Sequence, residues 1–260
     1  MNNSARISII GAGNVGSHLC KALSAKGVNI IQVVSRTLCH GTQSALGAGA
    51  EVINRIEDLD VNVDALIVCV PDDAIVEVLE KVPKNIPVAH TSGTQSIDLM
   101  ANMGFDHCGI FYPLQTFNKD RELSFTEIPM LIEANNTRFQ EFLVQTAERI
   151  SEKVRIVHSD DRKQIHLAAV FACNFANCLW GIADEIMTER DLSFDLLRPL
   201  LFETLQKALD NKPHDVQTGP AQRGDAKTIE AHMNKLSNEQ QKEIYQLMTK
   251  YIIDKKNLHG

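Results

Sequence analysis

Gly11-Ala12-Gly13-Asn14-Val15-Gly16 directly follows an apolar run, Ile7-Ser8-Ile9-Ile10, and opens a helical stretch. In such a loop the first glycine permits a tight turn and the second lets backbone approach a pyrophosphate. The third allows close helix–strand packing, and the diphosphate rests on the helix N-terminus. A GxGxxG alone says little. Here a strand, a helix and a second strand ending about 20 residues later surround it, the context a dinucleotide site requires. At the tip of that second strand stands Ser35-Arg36-Thr37, where an NAD-selective site places Asp or Glu on the ribose 2′-hydroxyl. Residues 1–50 hold no carboxylate, although the chain has 33, and they include Arg6, Lys21, Lys26 and Arg36. A 2′-phosphate needs charge-assisted donors and no adjacent anion, so the pattern favours NADP(H) over NAD(H). The alternative is that Arg36 is an ordinary solvated loop residue.

Other candidates lie further along. His90-Thr91-Ser92-Gly93 follows a strand at the end where open α/β sheets bind ligands. Phe111-Tyr112-Pro113-Leu114-Gln115-Thr116-Phe117 reads as an apolar loop with isolated polar groups, suited to lining a pocket. Each is equally readable as a satisfied turn. Pro71-Asp72-Asp73 reads as a helix cap passing near the cofactor. On a long helix over 162–190, Lys163, His166, Asn174 and Asn177 fall within one sector of about 80° at 100° per residue. Polar groups aligned on an apolar helix mark a polar cleft or a buried network. His166 is the preferred proton donor or acceptor, because imidazole titrates nearest neutrality; a structural histidine is the competing reading. In Thr218-Gly219-Pro220-Ala221-Gln222-Arg223-Gly224-Asp225, Asp225 reads as an N-cap. Arg223 is suited either to clamping a substrate carboxylate or to an ion pair holding the loop.

The elements that must position these groups alternate. Strand patterns at 7–10, 30–34, 65–70 and 87–90 are separated by helical stretches at 14–26, 41–48 and 72–82, and two of the strands are apolar nearly throughout. Continuous apolar runs mean burial on both faces, hence parallel strands covered by helices. Strands at 129–133 and 154–157 around a helix at 137–150 extend the sheet. No strand pattern follows residue 157, and helical segments run at 162–190, 194–210, 226–236 and 238–252. The expected fold is α/β: an N-terminal Rossmann parallel sheet with helices on both faces over 1–157, then an all-α domain over 158–260 for substrate contacts and dimerisation.

Composition narrows the class. The 260 residues are 44% hydrophobic and 23% charged, as in an ordinary globular protein, and the net charge of −7 disfavours nucleic acid as a partner. No uninterrupted apolar run approaches a membrane span, and the start leaves no room for a signal peptide, so a cytoplasmic location is expected. Cys20, Cys39, Cys69, Cys108, Cys173 and Cys178 form no CxxC pair and read as reduced core thiols, without a metal site.

Taken together, IIGAGNVGSHL (9–19), VSRT (34–37), VCVPDDAI (68–75), HTSG (90–93), FYPLQTF (111–117), the helix with His166 and Asn174, and TGPAQRGD (218–225) resemble one group. These are Rossmann-like NADP oxidoreductases with a C-terminal helical domain of unknown function. More distantly the chain is similar to pyrroline-5-carboxylate reductase and the 6-phosphogluconate and prephenate dehydrogenases. The resemblance implies that Gly11, Gly13, Asn14, Val15 and Gly16 hold the diphosphate and that Ser35, Arg36 and Thr37 hold the 2′-phosphate. It further implies that Val70 and Pro71 flank the cofactor, with Ser92 near the nicotinamide. Two departures stand out. Hydroxyacid dehydrogenases of this clan use Lys with Asn four residues later, whereas Lys163 is followed at that spacing by Leu167. Tyr112 stands where the group often has His, which weakens a catalytic role there. The resulting expectation is an NADP(H)-dependent reductase of a carbonyl or imine in a small, carboxylated metabolite. His166 would manage the proton, Asn174 would orient substrate, and Gln115, Asn177 and Arg223 would contact it. A non-catalytic NADP(H)-binding regulator acting through the helical domain is the alternative, and a deazaflavin partner stays open. Phe171, Phe175, Leu179 and Trp180 offer a homodimer surface or a monomer core.

Overall fold

A computed structural model describes residues 5–37, 41, 42, 45 and 48–259. Cys39 and half of the helix expected at 41–48 lie outside them. In chain order the first part contains β1 (Arg6–Ile10), α1 (Asn14–Ala25), β2 (Asn29–Val34), β3 (Glu51–Ile53) and β4 (Ala65–Val68). Then follow α2 (Ile75–Glu80), β5 (Val88–His90), α3 (Asp98–Asn102), β6 (Cys108–Pro113), β7 (Met130–Ala134), α4 (Thr137–Glu148) and β8 (Val154–Ile156). The eight strands form one sheet in the order β3-β2-β1-β4-β5-β6-β7-β8. Six run parallel, β7 turns antiparallel against β6, and β8 pairs parallel with β7. The order reverses between β1 and β4, the switch point at which open α/β sheets bind ligands.

Alternation explains the two cores. Ile7 and Ile9 of β1, with Ile67 of β4, face Leu19 and Leu23 of α1 and Phe139 and Leu143 of α4. Their sequence neighbours Ile10, Leu66 and Val68 face Ile75 and Leu79 of α2 and Met100 of α3. Burying both faces at every residue of Ala-Leu-Ile-Val in β4 is what makes that strand apolar without a polar break.

The helical part holds α5 (Ser159–Ala169), a π-helical stretch Val170–Phe175, and α6 (Ala176–Thr188), which form one continuous helix. After a short 3-10 turn come α7 (Arg198–Asp210), α8 (Pro220–Arg223), α9 (Ala226–Lys235) and α10 (Glu239–His259). Two compact units result, Met1–Cys173 and Asn174–Gly260, so the long helix begins in the sheet unit. Its first turn is fastened there. The Arg162 guanidinium, fully buried, donates to Glu133 of β7 at 2.5 Å and to the Gln95 carbonyl, while Ser159 donates its amide and hydroxyl to the same Glu133 at 3.0 and 2.7 Å.

Several expectations need correction. Phe111, Tyr112 and Pro113 are the end of β6, not part of a loop, because their pairing with β7 supplies the backbone partners. Asp72 does not cap a helix: the turn from Asp72 to Ala74 has no side-chain cap, and Asp72 instead accepts the Thr94 hydroxyl. The alignment of Lys163 with Asn174 and of His166 with Asn177 assumes 100° per residue throughout. The π-helical stretch between them widens the turn from i+4 to i+5 and shifts the phase of everything after it. Cys20, Cys69 and Cys108 are buried free thiols as expected, but Cys173 and Cys178 are exposed. Finally, the 30-residue helix Ser159–Thr188 contains a window of mean hydropathy 1.5, long and apolar enough by length and composition to cross a membrane. Scattered polar residues hide that window from a search for uninterrupted runs.

Candidate active site

The glycine loop is shaped by its neighbours. Gly11, with φ +103, donates its N–H to the Val34 carbonyl at 2.9 Å, and a Cβ there would lie 2.3 Å from the Cys69 carbonyl oxygen. At Gly16 a Cβ would sit 1.9 Å from the Gly11 carbonyl, so this position must be bare for α1 to pack on its own loop. A Cβ added at Gly13 would meet no atom within 4 Å, so this glycine faces open space, as close approach by a phosphate demands. Burial pushes the Cys69 thiol behind the loop up to about 12, leaving it an inert packing group.

From the loop a cavity of about 480 Å³ runs to the tips of β2 and β3. Gly11, Gly13, Ser35, Arg36, Thr37, Val70 and Pro71 line it, all singled out in the sequence. Arg55, Glu57, Glu77, Lys81 and Lys119 line it too and escape sequence reasoning. Arg55 and Glu57 do so because β3 is only three residues long and leaves no periodic signal. Ser35 donates its hydroxyl to the Thr37 carbonyl at 2.9 Å, which rounds the turn and leaves the Arg36 side chain exposed in the groove. Bare glycines at the helix start, with Arg36 and two hydroxyl residues at the ribose end, fit NADP(H). The remaining sequence candidates lie elsewhere. Asn14 donates its side-chain amide to the Phe117 carbonyl at 3.1 Å, Val15 packs half-buried on the core, and Gly16 is buried in the loop–helix contact. The Ser92 hydroxyl accepts the amides of Thr94 and Gln95 at 3.1 and 3.0 Å, a turn-closing role.

A second cluster gathers at the carboxyl ends of β5 and β6. Tyr112 Oη lies 3.0 Å from His166 Nδ1, with the two rings edge to face. Both sit on Gly93, where a Cβ would fall 2.5 Å from His166 Nδ1 and 3.0 Å from Tyr112 Cζ. Burial, ahead of the opposing charge of Arg162, pushes the Tyr112 phenol up, so it stays protonated. Beneath them His90 is fully buried and accepts the Ser92 amide at Nδ1, 3.2 Å away. Burial first and the Arg162 charge second push its imidazole down to about 4, so it is neutral. The sequence points to His90 and His166 but lends Tyr112 no catalytic weight and leaves Arg162 and Glu133 unnoticed; a charge in a strand and another 29 residues later carry no local signal of pairing.

In the helical unit Asn174 and Asn177 are exposed. Arg223 is exposed at the end of α8 and forms no salt bridge within 4 Å among the described residues, although its charge acts on Asp225. The Asp225 carboxylate caps α9 by accepting the Thr228 amide and hydroxyl at 3.1 and 2.7 Å, which holds its carboxyl below the usual range. In the sheet unit Gln115 is exposed and accepts the Thr116 amide at 2.8 Å. No group of His, Cys, Asp and Glu suited to a metal occurs among the described residues.

Residues 6–101 match the model of the family "NADP oxidoreductase coenzyme F420-dependent", and residues 128–252 match a domain of unknown function. The crystal structure of BF3122 from Bacteroides fragilis, described as a "putative NADP oxidoreductase", is 35% identical. The match covers 96% of this chain and 98% of that one with a TM-score of 0.89. The chain belongs to this NADP oxidoreductase family. As a member it is an oxidoreductase, and NADP(H) is its cofactor. Two more distant structures share the fold. Protein TM1727 of Thermotoga maritima is 21% identical over 97% of this chain and 99% of that chain, with a TM-score of 0.70. The reductive aminase of Aspergillus terreus, with NADPH and ethyl-5-oxohexanoate, is 15% identical over 99% and 95%, with a TM-score of 0.72. No curated protein matches the chain.

Proposed function

We propose that this oxidoreductase reduces the C=O or C=N bond of a small, carboxylated metabolite, with His166 supplying the proton. The observation that carries this reading is the Tyr112–His166 hydrogen bond of 3.0 Å held over Gly93 at the ligand-binding edge of the sheet. A protonated phenol donates to Nδ1 and so keeps the imidazole hydrogen on Nε2. When the ring takes a second proton, Nδ1–H donates back to Oη. Tyr112 therefore serves both states of the ring without moving, and His166 can give up a proton and regain it. NADPH supplies the hydride. Backbone of Gly11, Gly13, Asn14, Val15 and Gly16 would hold the diphosphate and Ser35, Arg36 and Thr37 the 2′-phosphate; Val70 and Pro71 would flank the cofactor, with Ser92 near the nicotinamide. Asn174 orients substrate, Arg223 holds its carboxylate and Gln115 and Asn177 contact it, assignments that rest on the sequence reading. The distant reductive aminase, whose structure holds NADPH and a keto ester, supports a carbonyl or imine as the reacting group.

In this reading residues 1–157 serve the cofactor, and 158–260 serve substrate and a homodimer. Phe171 at 64%, Phe175 at 50% and Trp180 at 45% exposure, with Leu200 and Phe202 in α7, present the kind of apolar surface a second copy buries. The free thiols support a cytoplasmic location. The test is NADPH oxidation with a cyclic imine carboxylate and with a 2-oxo acid. His166→Ala and Arg223→Ala should each lower turnover while leaving NADPH affinity nearly intact; unchanged turnover in both variants would remove the site.

A further inference from the structure

We propose that Lys119 is a ligand of the cofactor's diphosphate, carried to it by the segment 114–129 that joins β6 to β7. This segment is strapped across the first turns of α1. The Phe117 carbonyl accepts the Asn14 side-chain amide at 3.1 Å, and the Arg121 carbonyl lies 3.0 Å from His18 Nε2. Between these two fixed points the Phe117 ring stands edge-on to His18 at 5.4 Å and packs 5.8 Å from Phe125, which is buried in the core. Lys119 sits between the two anchors, and its side chain lines the same cavity as Gly11, Gly13 and Arg36.

Charge accounting in that cavity leaves Lys119 available. Glu77 is engaged by Lys81 at 2.8 Å and Glu57 by Arg55 at 3.7 Å, whereas Lys119 forms no ion pair among the described residues. Its place along the cavity selects the phosphate it serves. The strap is tied to Asn14, the first residue of α1, and the start of that 12-residue helix is where a diphosphate rests, whereas Arg36 and Thr37 stand at the ribose end. A lysine delivered from above would complete the cradle that the helix dipole and the glycine amides begin.

The experiment uses the full chain and two ligands: NADPH, and adenosine 2′-monophosphate, which carries the 2′-phosphate but no diphosphate. Affinities are read by NADPH fluorescence titration and, for the smaller ligand, by competition. Lys119→Ala should weaken NADPH about tenfold and leave adenosine 2′-monophosphate unchanged, since an exposed lysine on a doubly charged group is worth about that factor. Lys119→Arg should restore NADPH to within about threefold. Arg36→Asp, the comparison, should weaken both ligands. Unaltered NADPH affinity in Lys119→Ala overturns the assignment, and so does an equal loss for both ligands, which would move Lys119 to the 2′-phosphate. Because Lys119 is exposed, the alanine variant keeps the fold, and unchanged thermal unfolding verifies it.

Discussion

Replacing Gly93 by alanine tests the Tyr112–His166 pair without removing either partner. The backbone at Gly93 does not occupy the left-handed region, so alanine is conformationally acceptable there and lowers the entropy of the unfolded chain. The difficulty is space. The new Cβ would lie 2.5 Å from His166 Nδ1, 2.8 Å from its Cγ and 3.0 Å from Tyr112 Cζ. Comfortable contact between such atoms begins at about 3.5 Å, so the imidazole must retreat by about 1 Å. A retreat of that size along the bond takes the 3.0 Å hydrogen bond beyond hydrogen-bonding range unless the tyrosine follows. A misplacement of about 1 Å in a reacting group costs on the order of 100-fold in rate, whereas the overpacking costs about 1–3 kcal/mol of stability, partly offset by the entropic gain. The assay is turnover with NADPH and a cyclic imine carboxylate, beside NADPH affinity and the imidazole ¹⁵N shifts of His166. We expect turnover to fall about 100-fold, affinity to hold, and the shifts to move toward a mixture of tautomers. Full turnover with unchanged shifts would refute the reasoning, since the pair would then tolerate a carbon atom where the geometry allows none.

Two further outcomes follow from buried ionisable groups. His90 has a folded pKa of about 4 against an ordinary 6.5, so between these values the unfolded chain binds more protons than the folded one. Stability is therefore fully present above pH 6.5 and falls as the pH drops toward 4, by roughly 3 kcal/mol from this group. Urea unfolding from pH 7 to 4 should display that slope, and His90→Asn should flatten it. Arg162→Met leaves the Glu133 carboxylate buried without its cation, at a cost of about 3–5 kcal/mol and a lower Tm by roughly 6–20 °C. Adding Glu133→Leu should recover more than half of that loss in differential scanning, and a double variant less stable than the single would contradict the pairing.

The features legible in the sequence are those written in short-range patterns. Ala65–Val68 announces a doubly covered strand by its unbroken apolar run, and the glycine loop announces itself by spacing alone. β3 stays hidden because Glu51-Val52-Ile53 is too short to alternate. β6 is missed altogether because Phe111-Tyr112-Pro113 ends in a proline and its partner β7 lies across a long connection, where pairing leaves no local trace. The phase of the long helix is misread since no composition rule marks the π-helical residues Val170–Phe175. The pairing of His166 with Tyr112 spans 54 residues, and that of Arg162 with Glu133 spans 29. Such partnerships are created by topology, and only three-dimensional structure reveals them.

The knot of Arg162, Glu133 and Ser159 also constrains descent. Any one of the three altered alone strands a desolvated ion or an orphaned amide, while changing all of them together passes through unstable ancestors. Lineages diverging from this chain should therefore hold the trio intact or exchange it wholesale for greasy side chains, and intermediates bearing a lone survivor should be scarce.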